Sequence, residues 1–244
     1  MTNLRPVGVI TGTGVGEHFD LSTPKTVRTP FGSADVFTRE RGDYVVIPRH
    51  GRTHRSPPQA INYRANIEAL ARLGVREVIA TSAVGSMIRS FRVGEIGLAG
   101  QFIDFTKRRP TTFFEHKVVH TDMTYPYSRP LNLRISSAAK RIGLDVRQDL
   151  VYVCAEGPRF ETAAEIRMYK MLGGDVVGMT GVPEVVLANE RKLEYSSVVI
   201  ATNWAAGMQP KVSQDEVLRV MNDSGRSVKQ LIEATVAELR GDRR

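Results

Sequence analysis

Apolar and polar residues follow one another along this chain in two recurring forms. Short apolar runs at residues 7–10, 44–47, 78–82, 97–105 (interrupted at Gly100), 151–155, 176–179 and 197–202 read as strands buried on both faces. In the other form, apolar residues return every third or fourth position. Ile61, Ala65, Ala69 and Leu73 do so, as do Val217, Met221, Ser224, Val228, Leu231, Thr235 and Leu239, which predicts two amphipathic helices. A third helix is expected over residues 130–142, a fourth after Phe160, and a fifth from Pro183, since proline fits the first helical position. No repeat, low-complexity linker or shift in composition divides the 244 residues. The expectation is a single α/β domain over residues 1–244, a mixed central sheet flanked by helices on both faces.

Composition narrows the classes. With 41% apolar residues and no uncharged apolar run of membrane-spanning length, the chain reads as soluble, with a full core and no membrane partner. Residues 1–5 are followed by no leader-like apolar stretch, and the one cysteine, Cys154, cannot form an internal disulfide, so a cytoplasmic location is expected. Cys154 lies in the apolar run 151–155 and reads as a buried structural thiol. The formal charge of +8 invites a nucleic-acid reading. Yet the basic residues are scattered, apart from Lys107-Arg108-Arg109 and the 240–244 tail, and no nucleic-acid module is visible among them. The tail reads as a solvated helix end.

Three strand ends carry candidate chemistry. Val9-Ile10-Thr11-Gly12-Thr13-Gly14 runs from a strand into a glycine turn whose amides can converge on an anion, with the Thr13 hydroxyl beside them. Glu17 stands where a dinucleotide fingerprint needs glycine, and no P-loop lysine follows. Pro48-Arg49-His50-Gly51-Arg52-Thr53-His54-Arg55 ends a second strand, and Arg49 and His50, nearest to it, suit multi-point contact with an oxyanion. His50 and His54 have no carboxylate or thiol at metal-binding spacing, so no metal is expected. Thr81-Ser82-Ala83-Val84-Gly85-Ser86 offers hydroxyls and amides at a third strand end. Taken singly, Thr13 reads as a turn residue, Ser82 as a helix cap, and the 49–55 loop as solvated basic surface. Together they could surround one anion.

Gly12-Thr13-Gly14, the 49–66 stretch with Pro57-Pro58 and Asn62-Tyr63-Arg64-Ala65-Asn66, Ser82 to Ser86, Gln101 to Asp104, Arg109 to Phe114, Glu156 to Phe160 and Gly178-Met179-Thr180 occur in order and without large insertions. In this they resemble the methylthioadenosine phosphorylase branch of the trimeric purine nucleoside phosphorylases, from about residue 7 to residue 239. The resemblance implies the single-domain nucleoside phosphorylase fold, a homotrimer or a dimer of such trimers, and no cofactor beyond inorganic phosphate as co-substrate. It places phosphate against Thr13, Arg49, His50, Ser82, the amide of Ala83 and Thr180. It puts Met179 under the ribose, Phe160 against the base, and His120 in the sugar pocket of a neighbouring subunit.

Two positions bear on the base. Methylthioadenosine phosphorylases carry two aspartates where this chain has Asn203 and Ala205. A carboxylate holds a proton at N7 and accepts from a 6-amino group, whereas an amide can donate to O6 and accept from protonated N7. Glu161 can accept from the N1–H of hypoxanthine or guanine, and unprotonated N1 of adenine has nothing to donate. Both substitutions favour a 6-oxopurine. Each also has a plain structural reading, Glu161 at a helix N-terminus beside the Thr162/Glu165 capping box and Asn203 in a turn. The 49–66 stretch resembles the methylthio-nucleoside branch, and S-methyl-5′-thioinosine phosphorylases combine the two features, including an Asn-x-Ala-Ala-Gly like Asn203 to Gly207. The expected reaction is phosphorolysis of methylthioinosine, with inosine and guanosine as further candidates. Asn203 and His50 are the expected catalytic residues, and Gln214 is a candidate at the 5′ end. Adenine release from methylthioadenosine is the alternative reaction, and a non-catalytic purine- or nucleic-acid-binding protein is the alternative of another class.

Overall fold

The fold is that of a computed structural model describing residues 5–39, 41–53 and 55–241. Four parallel strands make its spine: β1 (Val7–Thr11), β4 (Tyr44–Pro48), β5 (Glu77–Ser86) and β9 (Glu194–Trp204), paired in the order β4-β1-β5-β9. Val7, Val9, Ile10, Ile79, Ala80, Val198 and Val199 in these strands are at most 0% exposed, which is why they read as unbroken apolar runs rather than alternating ones.

On one side the sheet is extended by an antiparallel hairpin, β2 (Lys25–Thr29) and β3 (Gly32–Thr38), that docks on β4. On the other side β6 (Ile96–Asp104), β7 (Val146–Cys154) and β8 (Val176–Gly178) run from β9 back to β5. Because β5 pairs with both β8 and β9, that end of the nine-stranded sheet closes on itself. The break expected at Gly100 is instead a pair of register shifts between Gly97 and Gln101 inside a continuous β6.

Helices α1 (Tyr63–Arg72) and α4 (Gly181–Glu190) cover one face, and α2 (Arg129–Arg141) and α5 (Gln214–Gly241) the other, each pair with its own apolar cluster. The cap residues that start two of these helices are visible locally: Asn62 accepts from Ala65 N–H at 3.0 Å and Ser128 from Leu131 N–H at 3.2 Å. Val182 is extended (φ −115°, ψ 135°), so regular α4 geometry begins at Pro183. α3 (Ala163–Met171) opens on the Thr162/Glu165 capping box and packs Ile166 and Tyr169 against Val153, Val177 and Ala205. α5 buries Val217, Met221, Val228, Leu231, Ile232 and Val236, each contributing roughly 1.5–3 kcal/mol by burial. His54 and the 242–244 part of the basic tail lie outside the described residues, and Arg240 donates to the Gly42 carbonyl at 3.1 Å.

Candidate active site

The carboxyl ends of the parallel strands open on a cavity of about 310 Å³, near the lower end of the roughly 300–1,000 Å³ of small-molecule sites. Each wall comes from a different strand end. Gly12 and Thr13 follow β1, Arg49 and His50 follow β4, Ser82 to Gly85 lie in β5, and Thr202 and Asn203 close β9. β8 runs antiparallel to β5 with Val177 opposite Gly85, which carries Met179 and Thr180 back toward Ser82. Phe160 and Glu161 from the loop before α3 and Gln214 from the first turn of α5 complete the lining.

One end of the cavity gathers donors for an oxyanion. A Cβ on Gly12 would lie 2.7 Å from the Thr81 carbonyl oxygen and 3.1 Å from Arg49 Nη1, so only glycine lets the turn approach this closely. Gly12 N–H donates to Thr81 Oγ1 at 2.9 Å, tying the β1 turn to β5. The Ser82 hydroxyl is buried without a hydrogen-bond partner in the chain, although it stands on the cavity wall. His50 Nδ1 lies 2.8 Å from the Ser56 carbonyl, which can only accept, so Nδ1 carries a proton and donates to it. Thr180 caps α4, and its N–H and that of Gly181 both donate to Tyr152 Oη at 3.3 Å.

Arg49 is the most constrained group. Its side chain is wholly buried, with Nε and Nη2 donating to the two oxygens of Glu184 at 2.7 Å each and Nη1 to the Thr81 carbonyl at 2.7 Å. Glu184, also fully buried, accepts a third hydrogen bond from Tyr195 Oη at 2.6 Å. Burial alone would lower the guanidinium pKa, but the Glu184 charge and its hydrogen bonds outweigh that, and Arg49 stays protonated.

Asn203 and Glu161 line the same cavity. Asn203 is 5% exposed; its Oδ1 accepts from Thr202 Oγ1 at 2.9 Å and its Nδ2 donates to the Trp204 carbonyl at 2.9 Å. One N–H and one lone pair of the amide remain, the pair needed to donate to O6 and accept from N7–H. Burial pushes the Glu161 carboxyl above the ordinary carboxylate range, only partly offset by its own backbone N–H. Met179 is held from beneath by Gly157, whose φ of +68° brings its backbone against the thioether; a Cβ there would lie 2.6 Å from Met179 Sδ.

Eleven sequence-predicted residues thus share one cavity: Thr13, Arg49, His50, Ser82, Ala83, Phe160, Glu161, Met179, Thr180, Asn203 and Gln214. Two lie elsewhere. Ala205 is 1% exposed and packs with Met87, Val153, Ile166 and Val177 behind the wall, two residues along the chain from Asn203. His120 is exposed and borders a separate surface groove with Val118, Val119 and Met123, and Val118 is 84% exposed. Cys154 is fully buried, its thiol pushed up to about 12 by burial, as expected of a structural thiol.

Glu184 and Arg109 were not anticipated as parts of the site. Glu184 is the only charged residue between Gly181 and Ala188, and a lone carboxylate in an apolar helix was a signal available in the sequence. Arg109 gave none, since Lys107 and Arg108 beside it look alike. It is 7% exposed and donates to the carbonyls of Met179 (2.7 Å), Val182 (2.8 Å) and Glu156 (2.6 Å), lashing together the loops that carry the base end. Among the described residues, no group of three His, Cys, Asp or Glu could hold a metal ion, and no helix is long and apolar enough to cross a membrane.

Residues 6–237 match the family described as the phosphorylase superfamily. A protein of Methanothermobacter thermautotrophicus, named a probable S-methyl-5′-thioinosine phosphorylase, is 44% identical over 241 residues, spanning 96% of this chain and 84% of its own. The 6-oxopurine nucleoside phosphorylase of Pyrococcus furiosus is 42% identical over 250 residues, spanning 98% of this chain and 94% of its own. Among solved structures, the methylthioadenosine phosphorylase of Schistosoma mansoni in complex with adenine superposes with a TM-score of 0.88 at 32% identity, covering 97% of this chain and 92% of that one.

Proposed function

The chain belongs to the phosphorylase superfamily as a nucleoside phosphorylase, and from that premise we propose that it splits the N-glycosidic bond of a 6-oxopurine nucleoside with inorganic phosphate. S-methyl-5′-thioinosine is the leading substrate, giving hypoxanthine and 5-methylthioribose 1-phosphate, with inosine and guanosine as further substrates. The observation that carries the reading is that one cavity holds oxyanion donors at one end and the Glu161/Asn203 pair at the other.

In this reading Thr13, Arg49, His50, Ser82, the Ala83 amide and Thr180 hold phosphate beneath the sugar, and His50 Nε2 accepts a phosphate hydroxyl or, when protonated, donates to its oxygen. As the C1′–N9 bond lengthens, positive charge develops on the sugar, the phosphate oxygens stabilise it, and one of them bonds C1′. The purine leaves with the N9 electron pair and is neutralised at N7 by the proton that hydrogen phosphate gives up on bonding C1′, carried across by solvent; Asn203 Oδ1 then accepts the N7–H as a hydrogen bond while Nδ2 donates to O6. Glu161 accepts from N1–H. Phe160 covers the base and Met179 the ribose, Gln214 stands at the 5′ end, and Ala205 acts from behind Asn203. No covalent intermediate on the protein is required, so positioning supplies much of the rate.

Nucleoside phosphorylases use phosphate as co-substrate, and here too no cofactor is invoked. The proposal extends to residues 1–244 acting as a single domain in a homotrimer or dimer of trimers, with His120 reaching a neighbouring subunit's sugar pocket, in the cytoplasm and without nucleic-acid or membrane partners. Release of adenine from methylthioadenosine is the second reading, favoured by the solved structures of similar fold. Relatives of higher identity are named S-methyl-5′-thioinosine phosphorylase or 6-oxopurine nucleoside phosphorylase. The test is hypoxanthine release from methylthioinosine with and without phosphate. Phosphate-dependent release is expected; release by water alone, or none, would overturn the proposal.

A further inference from the structure

We propose that Glu184, braced by Tyr195, is a positioning residue that fixes the Arg49 guanidinium for phosphate and cancels its charge, so that Arg49 serves as an oriented hydrogen-bond donor rather than as a net cation. This rests on the proposed function, in which Arg49 binds phosphate.

The geometry leaves little freedom. Arg49 carries five N–H groups, and three donate to protein oxygens at 2.7 Å, two to Glu184 and one to the Thr81 carbonyl. Two N–H groups are left for a ligand, and the bidentate pair sets their plane. Glu184 is held in turn by Tyr195 Oη at 2.6 Å and by its place in the first turn of α4, directly after Val182 and Pro183. Both charges are fully buried, so neither can exchange its partner for water. The same carboxylate therefore ties β4, β9 and the α4 N-terminus to a single guanidinium orientation.

The sign of one substitution separates positioning from mere compensation of charge. Glu184→Gln keeps the shape but replaces one acceptor oxygen by an NH₂ that faces a guanidinium N–H, donor against donor. If Glu184 only neutralises Arg49, the variant gains an uncompensated cation beside phosphate, and phosphate binds more tightly. If Glu184 orients Arg49, phosphate binding weakens despite the added charge.

The experiment measures KM for phosphate and kcat at saturating nucleoside, KM for nucleoside at saturating phosphate, and phosphate affinity by calorimetry, with a thermal melt to confirm folding. Glu184→Gln is expected to raise the phosphate KM about ten-fold or more, the scale of a lost charge-assisted hydrogen bond, and to leave the nucleoside KM within about two-fold. Tyr195→Phe removes one neutral hydrogen bond and keeps the ion pair; it is expected to raise the phosphate KM roughly three-fold and decides the matter if Glu184→Gln does not fold. An unchanged or lowered phosphate KM in a folded variant, or equal rises in both KM values, would overturn the positioning role. A wild-type enzyme that releases base without phosphate would instead overturn the parent reading, and this inference with it.

Discussion

Asn203→Asp tests the base-reading end most sharply, because the substitution keeps the shape while exchanging an NH₂ donor for a carboxylate oxygen and its charge. In the native site Nδ2 donates to the Trp204 carbonyl at 2.9 Å, and its second N–H is left for the purine. An aspartate oxygen there faces the Trp204 carbonyl, acceptor against acceptor, at a position only 5% exposed. It offers nothing to O6. Leaving a buried acceptor unpaired costs about 1–3 kcal/mol, which at about 1.4 kcal/mol per ten-fold is roughly 5- to 150-fold in kcat/KM for a 6-oxopurine nucleoside. A 6-amino group can donate to the new oxygen, so the loss does not extend to methylthioadenosine. The ratio of kcat/KM for methylthioinosine over methylthioadenosine should therefore fall by about 100-fold, with the phosphate KM unmoved. The assay is base release from each nucleoside at saturating phosphate, followed by absorbance. Adding Ala205→Asp buries a second carboxyl in the apolar cluster around Val177 and Ile166 and should carry the shift further at a cost in stability. An unaltered substrate ratio in the double variant would refute the role given to Asn203.

Glu161→Gln should weaken 6-oxopurine binding about ten-fold while raising the melting temperature. Burial holds the Glu161 carboxyl above its ordinary pKa, so the ionised form carries an unfavourable contribution above that raised value that is relieved as pH falls through it. For the same reason base affinity in the native enzyme, which needs the ionised acceptor, should drop on acidification at a higher pH than an ordinary carboxylate would give. A pH titration of hypoxanthine affinity that is flat across this range would contradict it. Arg109→Ala strips three carbonyls of their partner and should cost about 3–5 kcal/mol, lowering the melting temperature by roughly 10 °C, with the nucleoside KM raised; a shift of under about 2 °C would show that the loops hold without it. Gly157→Ala combines a φ of +68° with a Cβ 2.6 Å from Met179 Sδ. It should raise the nucleoside KM several-fold and leave the phosphate KM alone, and equal changes in both would refute the link to Met179.

The parts of this molecule that sequence could reveal are those governed by local chemistry. Fully buried strands write themselves as apolar runs, and caps such as Asn62 and Thr162 mark helix starts, so β1, β4, β5, β9 and all five expected helices fall close to where the pattern puts them. The β2–β3 hairpin escaped because its exposed half is polar: Lys25, Thr26 and Arg28 are solvent-facing or nearly so, and its turn is set by Thr29 accepting from Phe31 N–H at 3.1 Å. Closure of the sheet through β5 escaped for another reason. It depends on long-range pairing, Gly85 with Val177 and Ser86 with Trp204, that no single segment encodes.

The site divides in the same way. Residues at strand ends, such as Thr13, Arg49, Ser82 and Asn203, were legible because parallel strands deliver their carboxyl ends to one place. Arg109 and the Arg49–Glu184–Tyr195 chain were not, because their partners lie up to 135 positions apart in the chain and meet only after folding. Likewise the place of Ala205 follows from α3 packing over β8, so a position that reads as a base contact lies one layer behind the cavity wall.

The decisive measurement sets methylthioinosine, inosine, guanosine and methylthioadenosine side by side with the purified chain, with and without phosphate. Hypoxanthine or guanine should be released only when phosphate is present, with methylthioinosine cleaved best and methylthioadenosine poorest. Efficient phosphate-dependent release of adenine from methylthioadenosine, with the 6-oxopurine nucleosides left intact, would contradict the proposed function.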